Sequence, residues 1–214
     1  MNDLNLHSKS LSLDEPMRLI MKPFSIVLGF VLTLSLFISC GNGTGNIVIT
    51  DTAITSEVLG IKLCEKADKE SIENAISKST DNVYFTYEEK VGQGSGIRCM
   101  PVNMSINFGG QTWNYCDVHL NSESAIYEVD LVASFESVER AKDRFDTMVT
   151  KLSEKYGKGN VDASEAFWTD GENAIGLSYS ESSAINGNDR SFCTLFYINR
   201  NLAREFEETM NAEL

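Results

Sequence analysis

The side chains with the most chemical potential in this 214-residue chain fall in two neighbouring β-prone stretches. Trp113, Tyr115, Asp117 and His119 alternate with Cys116, Val118 and Leu120, and Glu128 and Asp130 follow in the next stretch. In an extended strand this alternation puts Trp113, Tyr115, Asp117 and His119 on one face. If the strands pair through a loop from Asn121 to Ser124, Asp117 stands opposite Glu128 and Tyr115 opposite Asp130. Carboxylates that crowd one face repel each other, so such a face is expected to serve a ligand. The aromatics would be amphipathic anchors, and the acids would meet a cationic or hydroxyl-rich partner. The candidate binding set is therefore Trp113, Tyr115, Asp117, His119, Glu128 and Asp130.

Other chemistries fit these residues less well. Asp117 and Glu128 have the types of a general acid/base pair, but no nucleophile accompanies them. Asp117, His119 and Glu128 have the types of a carboxylate–histidine metal set, yet His119 is the only histidine after residue 7, which excludes a two-histidine zinc motif. Cys116 and His119 lie three apart on a strand and point to opposite faces, so they form no dyad. The sequence has no GxSxG, phosphate-binding glycine loop or EF-hand loop. No catalytic residue, metal or cofactor is expected.

Charge and the N-terminal region indicate where the chain works. With 31 Asp and Glu against 18 Lys and Arg, the net charge is −13, which repels nucleic-acid backbones, so no nucleic-acid partner is expected. Arg18 and Lys22 precede an apolar run from Phe24 to Ser39 that ends directly at Cys40. The run is shorter than the ~20 residues of a spanning helix and has the layout of a signal peptide. Leu36-Phe37-Ile38-Ser39-Cys40 resembles a bacterial lipobox, which makes Cys40 the lipidation site. The expected organisation is an N-terminal extension and signal peptide over 1–39, a lipidated Cys40 and flexible tether over 40–56, and a single domain over 57–214. Cys64, Cys99, Cys116 and Cys193 allow up to two disulfides in three connectivities, or none.

The elements that must position the candidate face can be read from periodicity. Asp68 is an N-cap for a helix bearing Ile72, Ala75 and Ile76. Ser137 caps a longer helix with a stripe of Val138, Ala141, Phe145, Met148, Val149, Leu152 and Tyr156, closed by Gly157. Leu202, Phe206 and Met210 mark a last helix. Met100 to Phe108 reads as one strand, joined through Gly109-Gly110-Gln111 with Phe108 opposite Thr112. Strands also span Thr112 to Leu120, Ala125 to Ala133, Phe167 to Thr169, Ile175 to Tyr179 and Phe192 to Ile198, with turns at Asp170-Gly171 and Asn186-Gly187. The order α, three strands, α, three strands, α predicts an α+β domain of two αβββ units: an antiparallel sheet with helices on one face.

Leu59-Gly60-Ile61-x-Leu63, Phe108-Gly109-Gly110-x-x-Trp113, Lys155-Tyr156-Gly157-Lys158 and Trp168-Thr169-Asp170-Gly171 together resemble a pattern in lipoproteins of unknown function from gut-type Gram-negative bacteria. The repeated αβββ order is similar in topology to the β-lactamase inhibitor protein, whose concave sheet face binds partners. Gly41 after Cys40 resembles lipoproteins sorted to the outer membrane. These resemblances imply an envelope lipoprotein that binds a protein or another envelope component. A carbohydrate- or peptidoglycan-associated accessory is the alternative, and an envelope hydrolase the third reading.

Overall fold

The computed structural model describes residues 48–103, 105–181 and 190–212. The expected signal peptide, Cys40, most of the expected tether and the expected Asn186-Gly187 turn lie outside the described residues. Two short strands, β1 (Glu57–Val58) and β2 (Ile61–Lys62), form a hairpin. Helix α1 (Lys69–Thr80) follows, and its first turn is closed by a capping box: Ser71 N donates to Asp68 Oδ1 at 2.8 Å and Asp68 N to Ser71 Oγ at 2.9 Å. Next come β3 (Tyr84–Val91), β4 (Gly94–Pro101), β5 (Ile106–Phe108), β6 (Gln111–Trp113), β7 (Tyr115–Leu120) and β8 (Ile126–Phe135). Helix α2 (Val138–Tyr156) leads to β9 (Asn160–Val161), β10 (Glu165–Thr169), β11 (Asn173–Glu181), β12 (Ser191–Asn199) and helix α3 (Arg200–Ala212).

The fold is α+β. Eight strands form one antiparallel sheet in the order β3-β4-β7-β8-β12-β11-β10-β9, and β5 and β6 make a separate hairpin. Each half is a helix followed by a four-strand meander, and the halves meet where β8 pairs with β12. The expected three strands per unit therefore become four. β3 was not expected because Tyr84-Phe85-Thr86-Tyr87-Glu88-Glu89 breaks the apolar–polar alternation, and β4 opens with Gly94-Ser95-Gly96. The expected Met100–Phe108 strand is two strands, since β4 ends at Pro101 and the chain turns away before β5.

The Gly109-Gly110 loop also differs from expectation. Phe108 pairs with Gln111 rather than Thr112, leaving a two-residue turn whose glycines have φ of 62° and 66°. Two successive left-handed residues define the turn that matches strand twist, and glycine is the residue that adopts them without strain.

One sheet face is apolar. Cys99, Cys116, Val118, Val129, Leu131, Cys193, Leu195, Leu177 and Trp168 pack there against Ile72 and Ile76 of α1 and Phe145, Met148 and Leu152 of α2. Ser137 caps α2 by accepting from Arg140 N, and Gly157 ends it. Helices on one face thus describes α1 and α2, whereas α3 lies across the opposite face. Its Phe206 ring stacks on Tyr127 at 5.0 Å, and Met210 sits so close over Gly92 that a Cβ there would meet its sulfur at 2.0 Å. Among the described residues no helix is long and apolar enough to cross a membrane. All four described cysteines are free; Cys64 is exposed and Cys99, Cys116 and Cys193 are buried.

Candidate functional site

Strands β7 and β8 do bring Tyr115, Asp117, His119, Glu128 and Asp130 to one sheet face, the face under α3. The register differs by two residues from the expected one: Asp117 opposes Asp130, His119 opposes Glu128 and Tyr115 opposes Val132. The loop is longer than anticipated because Asn121 Oδ1 accepts from Glu123 N at 3.0 Å and Ala125 N at 2.9 Å, holding residues through Ala125 out of the ladder. An irregularity between His119 and Leu120 then places one extra residue, Tyr127, on β8. Tyr127 accordingly joins this face, 6.0 Å from the His119 ring.

Trp113 does not belong to the set. It is fully buried in the apolar core, with Nε1 donating to Phe108 O at 3.1 Å and the Arg144 guanidinium 5.5 Å from its ring. The strand expected to run unbroken from Thr112 to Leu120 is interrupted at Asn114. Asn114 N donates to Val132 O, and its side chain accepts from Ser134 N at 2.7 Å. Alternation restarts after that break, so Trp113 and Tyr115 face opposite ways.

The remaining residues are not an open face. Asp117, His119, Glu128 and Asp130 are all buried, and the sequence reading missed the cation that makes this tolerable. Arg98 of β4 lies opposite Asp117 and donates from Nε to Oδ1 at 2.8 Å and from Nη2 to Oδ2 at 2.7 Å. Its guanidinium sits 4.3 Å over the Tyr115 ring. Such a bidentate pair, stacked on an aromatic, suits arginine geometry. Desolvation works against the charge on Arg98, but Asp117 outweighs it and holds the guanidinium firmly protonated. On the other side of the acid pair, His119 Nε2 lies 3.2 Å from Asp130 Oδ2.

The histidine is therefore a second internal cation. Burial opposes its protonation, but the hydrogen bond and charge of Asp130, helped by Glu128 and Asp117, overcome burial and push its pKa up to about 9. Glu128 moves the other way in charge: burial first, then the Asp130 carboxylate, hold its carboxyl well above the usual range and favour the neutral acid. The face thus carries a row of Arg98, Asp117, Asp130 and His119, two basic groups set against two aspartates, with Glu128 biased toward its neutral form. It is a buried electrostatic network, in which Asp130 Oδ2 meets His119 while Asp130 Oδ1 has no hydrogen-bond partner among the described residues. Asp117 is engaged by Arg98, and among the described residues no group of His, Cys, Asp and Glu has the geometry to hold a metal ion.

This network makes stability pH-dependent in a defined direction. His119 has a folded pKa above its ordinary 6.5, so its contribution is complete below 6.5 and is lost as pH rises through about 9. Glu128 has a raised folded pKa too, so its contribution also declines as pH rises. Stability measured by urea unfolding is expected to fall by about 2 kcal/mol or more between pH 6 and pH 8, a window below the one in which the buried thiols and phenols of the unfolded chain ionise. His119→Gln should make that slope shallower, leaving the part that Glu128 contributes; an unchanged slope would mean that the His119–Asp130 pair carries none of it.

What the domain exposes lies at the end of the same row. Tyr87 pairs with Arg98 and Phe85 with Met100, and Val102 N donates to Val83 O at 2.8 Å. Alternation along β3 and β4 therefore sets Val83, Phe85, Tyr87, Met100 and Val102 on the face that carries Arg98. Val83 is 71% exposed, Phe85 57%, Tyr87 49% and Val102 52%; these are four of the seven exposed large hydrophobics among the described residues, the others being Val48, Ile49 and Val161 beside β10 at the far end of the sheet. A contiguous exposed apolar strip of this kind marks an interaction surface. The sequence contained a signal for it, aromatics at 85 and 87, but the interleaved Tyr84 and Thr86 hid which two pointed outward.

No family model matches the chain, no curated protein is similar to it, and no solved structure matches it.

Proposed function

We propose that this chain is a non-enzymatic binding module of the cell envelope, anchored in the outer membrane through lipid on Cys40, which engages a partner protein through the apolar strip on β3 and β4. The observation that carries the reading is the exposure of Phe85 and Tyr87 side by side on one face of an edge strand. Large aromatics with half their surface in water supply the rigid, low-entropy anchors that dominate interface energies. The acidic network beside them supports this reading rather than an envelope hydrolase. Its carboxylates are buried, Asp117 is engaged by Arg98 and Asp130 by His119, and among the described residues no serine or thiol is bonded to their side chains. A glycan-binding accessory loses its best stacking residue, because Trp113 is inside the core. The −13 charge disfavours nucleic acid and favours a partner with basic groups.

The reading is tested by affinity capture from solubilised envelopes with the full chain, wild type against Phe85→Ser/Tyr87→Ser. The substitutions replace exposed side chains and leave folding intact, and the wild type is expected to retain at least tenfold more of its partner. Equal retention by both forms would refute a binding site on this strip.

A further inference from the structure

Strand β3 is an end strand of the eight-stranded sheet, and among the described residues nothing pairs with its outer edge. Natural edges are usually short, bulged, charged, proline-bearing or covered. This one is eight residues long and contains no proline, and its charges are confined to Glu88, Glu89 and Lys90, leaving Tyr84 to Tyr87 uncharged. The bond from Val102 N to Val83 O fixes which backbone groups are free. In an antiparallel ladder a residue directs its N–H and C=O to the same side, and successive residues alternate. Val83, Phe85, Tyr87 and Glu89 therefore turn toward β4, while Tyr84, Thr86, Glu88 and Lys90 present N–H and C=O outward.

The two sets also differ in side-chain face. The residues with outward backbone groups have side chains on the α1 side, where Thr86 Oγ1 donates to Glu73 Oε2 at 2.8 Å and Glu88 is exposed. The intervening residues form the apolar strip. We propose that β3 accepts an extended segment of a partner protein as an additional antiparallel strand, and that this segment alternates basic with apolar residues. In such a pair, facing residues share a side. Partner residues bonded to Thr86 and Glu88 would bring their side chains beside Glu73 and Glu88, with Lys90 further along the same side, and those between them would lie against Phe85 and Tyr87. Main-chain bonds would supply affinity and the alternating side chains specificity. A second copy of this chain is disfavoured by mutual repulsion at −13. The inference rests on the binding reading above and adds the form of the partner.

The test uses the full chain and a ten-residue fluorescent peptide of alternating Lys and Val, with binding followed by polarisation. Its controls are the same peptide N-methylated at every Lys, which keeps the side chains and removes the bonds toward β3, and the variant Glu88→Pro. Proline at 88 deletes an outward N–H, a substitution that edge strands accept, and Glu88→Gln, which removes the charge and keeps the N–H, is run beside it and should weaken binding less. Strand addition requires that wild type bind the plain peptide and that N-methylation and Glu88→Pro each weaken it at least tenfold. Folding of the variant is checked by its unfolding midpoint. Binding that is indifferent to both changes but lost in Phe85→Ser/Tyr87→Ser would overturn strand addition while leaving the apolar strip as the site. Absence of peptide binding to wild type would overturn the basic–apolar strand outright, and dimerisation through β3, read by size-exclusion chromatography and abolished by Glu88→Pro, would replace the partner with a second copy.

Discussion

Replacing Arg98 with methionine is expected to cost about 3–5 kcal/mol of stability, one of the two largest single-residue effects in the domain. The side chains of Arg98 and Asp117 are only 15% and 2% exposed, and each of the two carboxylate oxygens of Asp117 receives one guanidinium nitrogen. Without the guanidinium, Asp117 is left buried directly opposite Asp130, whose own partner is His119. The cost arises from that uncompensated charge more than from the lost attraction. Arg98→Met combined with Asp117→Leu should therefore recover most of the loss, because an apolar pair of similar volume is often neutral against a buried ion pair. Urea unfolding of the single and double variants measures both quantities. A single-variant loss below about 1 kcal/mol, the range of exposed pairs, would show that the network is solvated rather than buried.

Trp113→Ala is expected to lose about 3–5 kcal/mol, and in a binding assay this loss would imitate the loss of a site. The indole is fully buried, donates to Phe108 O and ties the β5–β6 hairpin to α2, where Arg144 Nη1 also donates to Thr112 O at 2.8 Å. Truncation leaves a cavity between hairpin and helix. Phe85→Ser and Tyr87→Ser, by contrast, should each change stability by no more than about 0.5 kcal/mol, as surface substitutions do. Thermal unfolding of the three variants separates the aromatic that holds the fold from those available to a partner. Comparable losses in all three would mean that the strip is part of the core.

The residues that suggested a family resemblance act on the fold. In the glycine turn before Trp113, both glycines hold left-handed backbone and the indole closes onto Phe108 O. Trp168 Nε1 donates to Gly157 O at 3.0 Å, so the glycine that ends α2 is tied to the strand β10 that follows. Asp170 Oδ1 accepts from Glu172 N at 3.1 Å and Asn173 N at 2.8 Å, building the β10–β11 turn that was expected there. A motif made of such residues describes how the chain turns and packs, and the exposed strip on β3 contains none of them.

Local chemistry was legible wherever it acts over a few residues. Asp68 and Ser137 cap α1 and α2, Gly157 ends α2, and the apolar stripe of α2 faces the core, because capping and helical periodicity depend on near neighbours alone. The same holds for the shared face of Asp117 and His119, which follows from the twofold period of an unbroken strand. Trp113 was misplaced by extending that period through Asn114, whose side-chain and backbone bonds to β8 interrupt the strand.

By itself, then, the sequence determined the α+β class, the antiparallel pairing, the start of α1, both ends of α2 and the grouping of four acidic and imidazole side chains on one side of β7 and β8. Only the tertiary structure decided that this side is closed. Arg98 arrives from β4, a strand without alternation, and α3 crosses over to lay Phe206 on Tyr127. Whether a charge is buried and what balances it depend on residues distant in the chain, and local periodicity carries no information about them. The exposure of Phe85 and Tyr87 was decided the same way, by β3 being the strand at which the sheet ends.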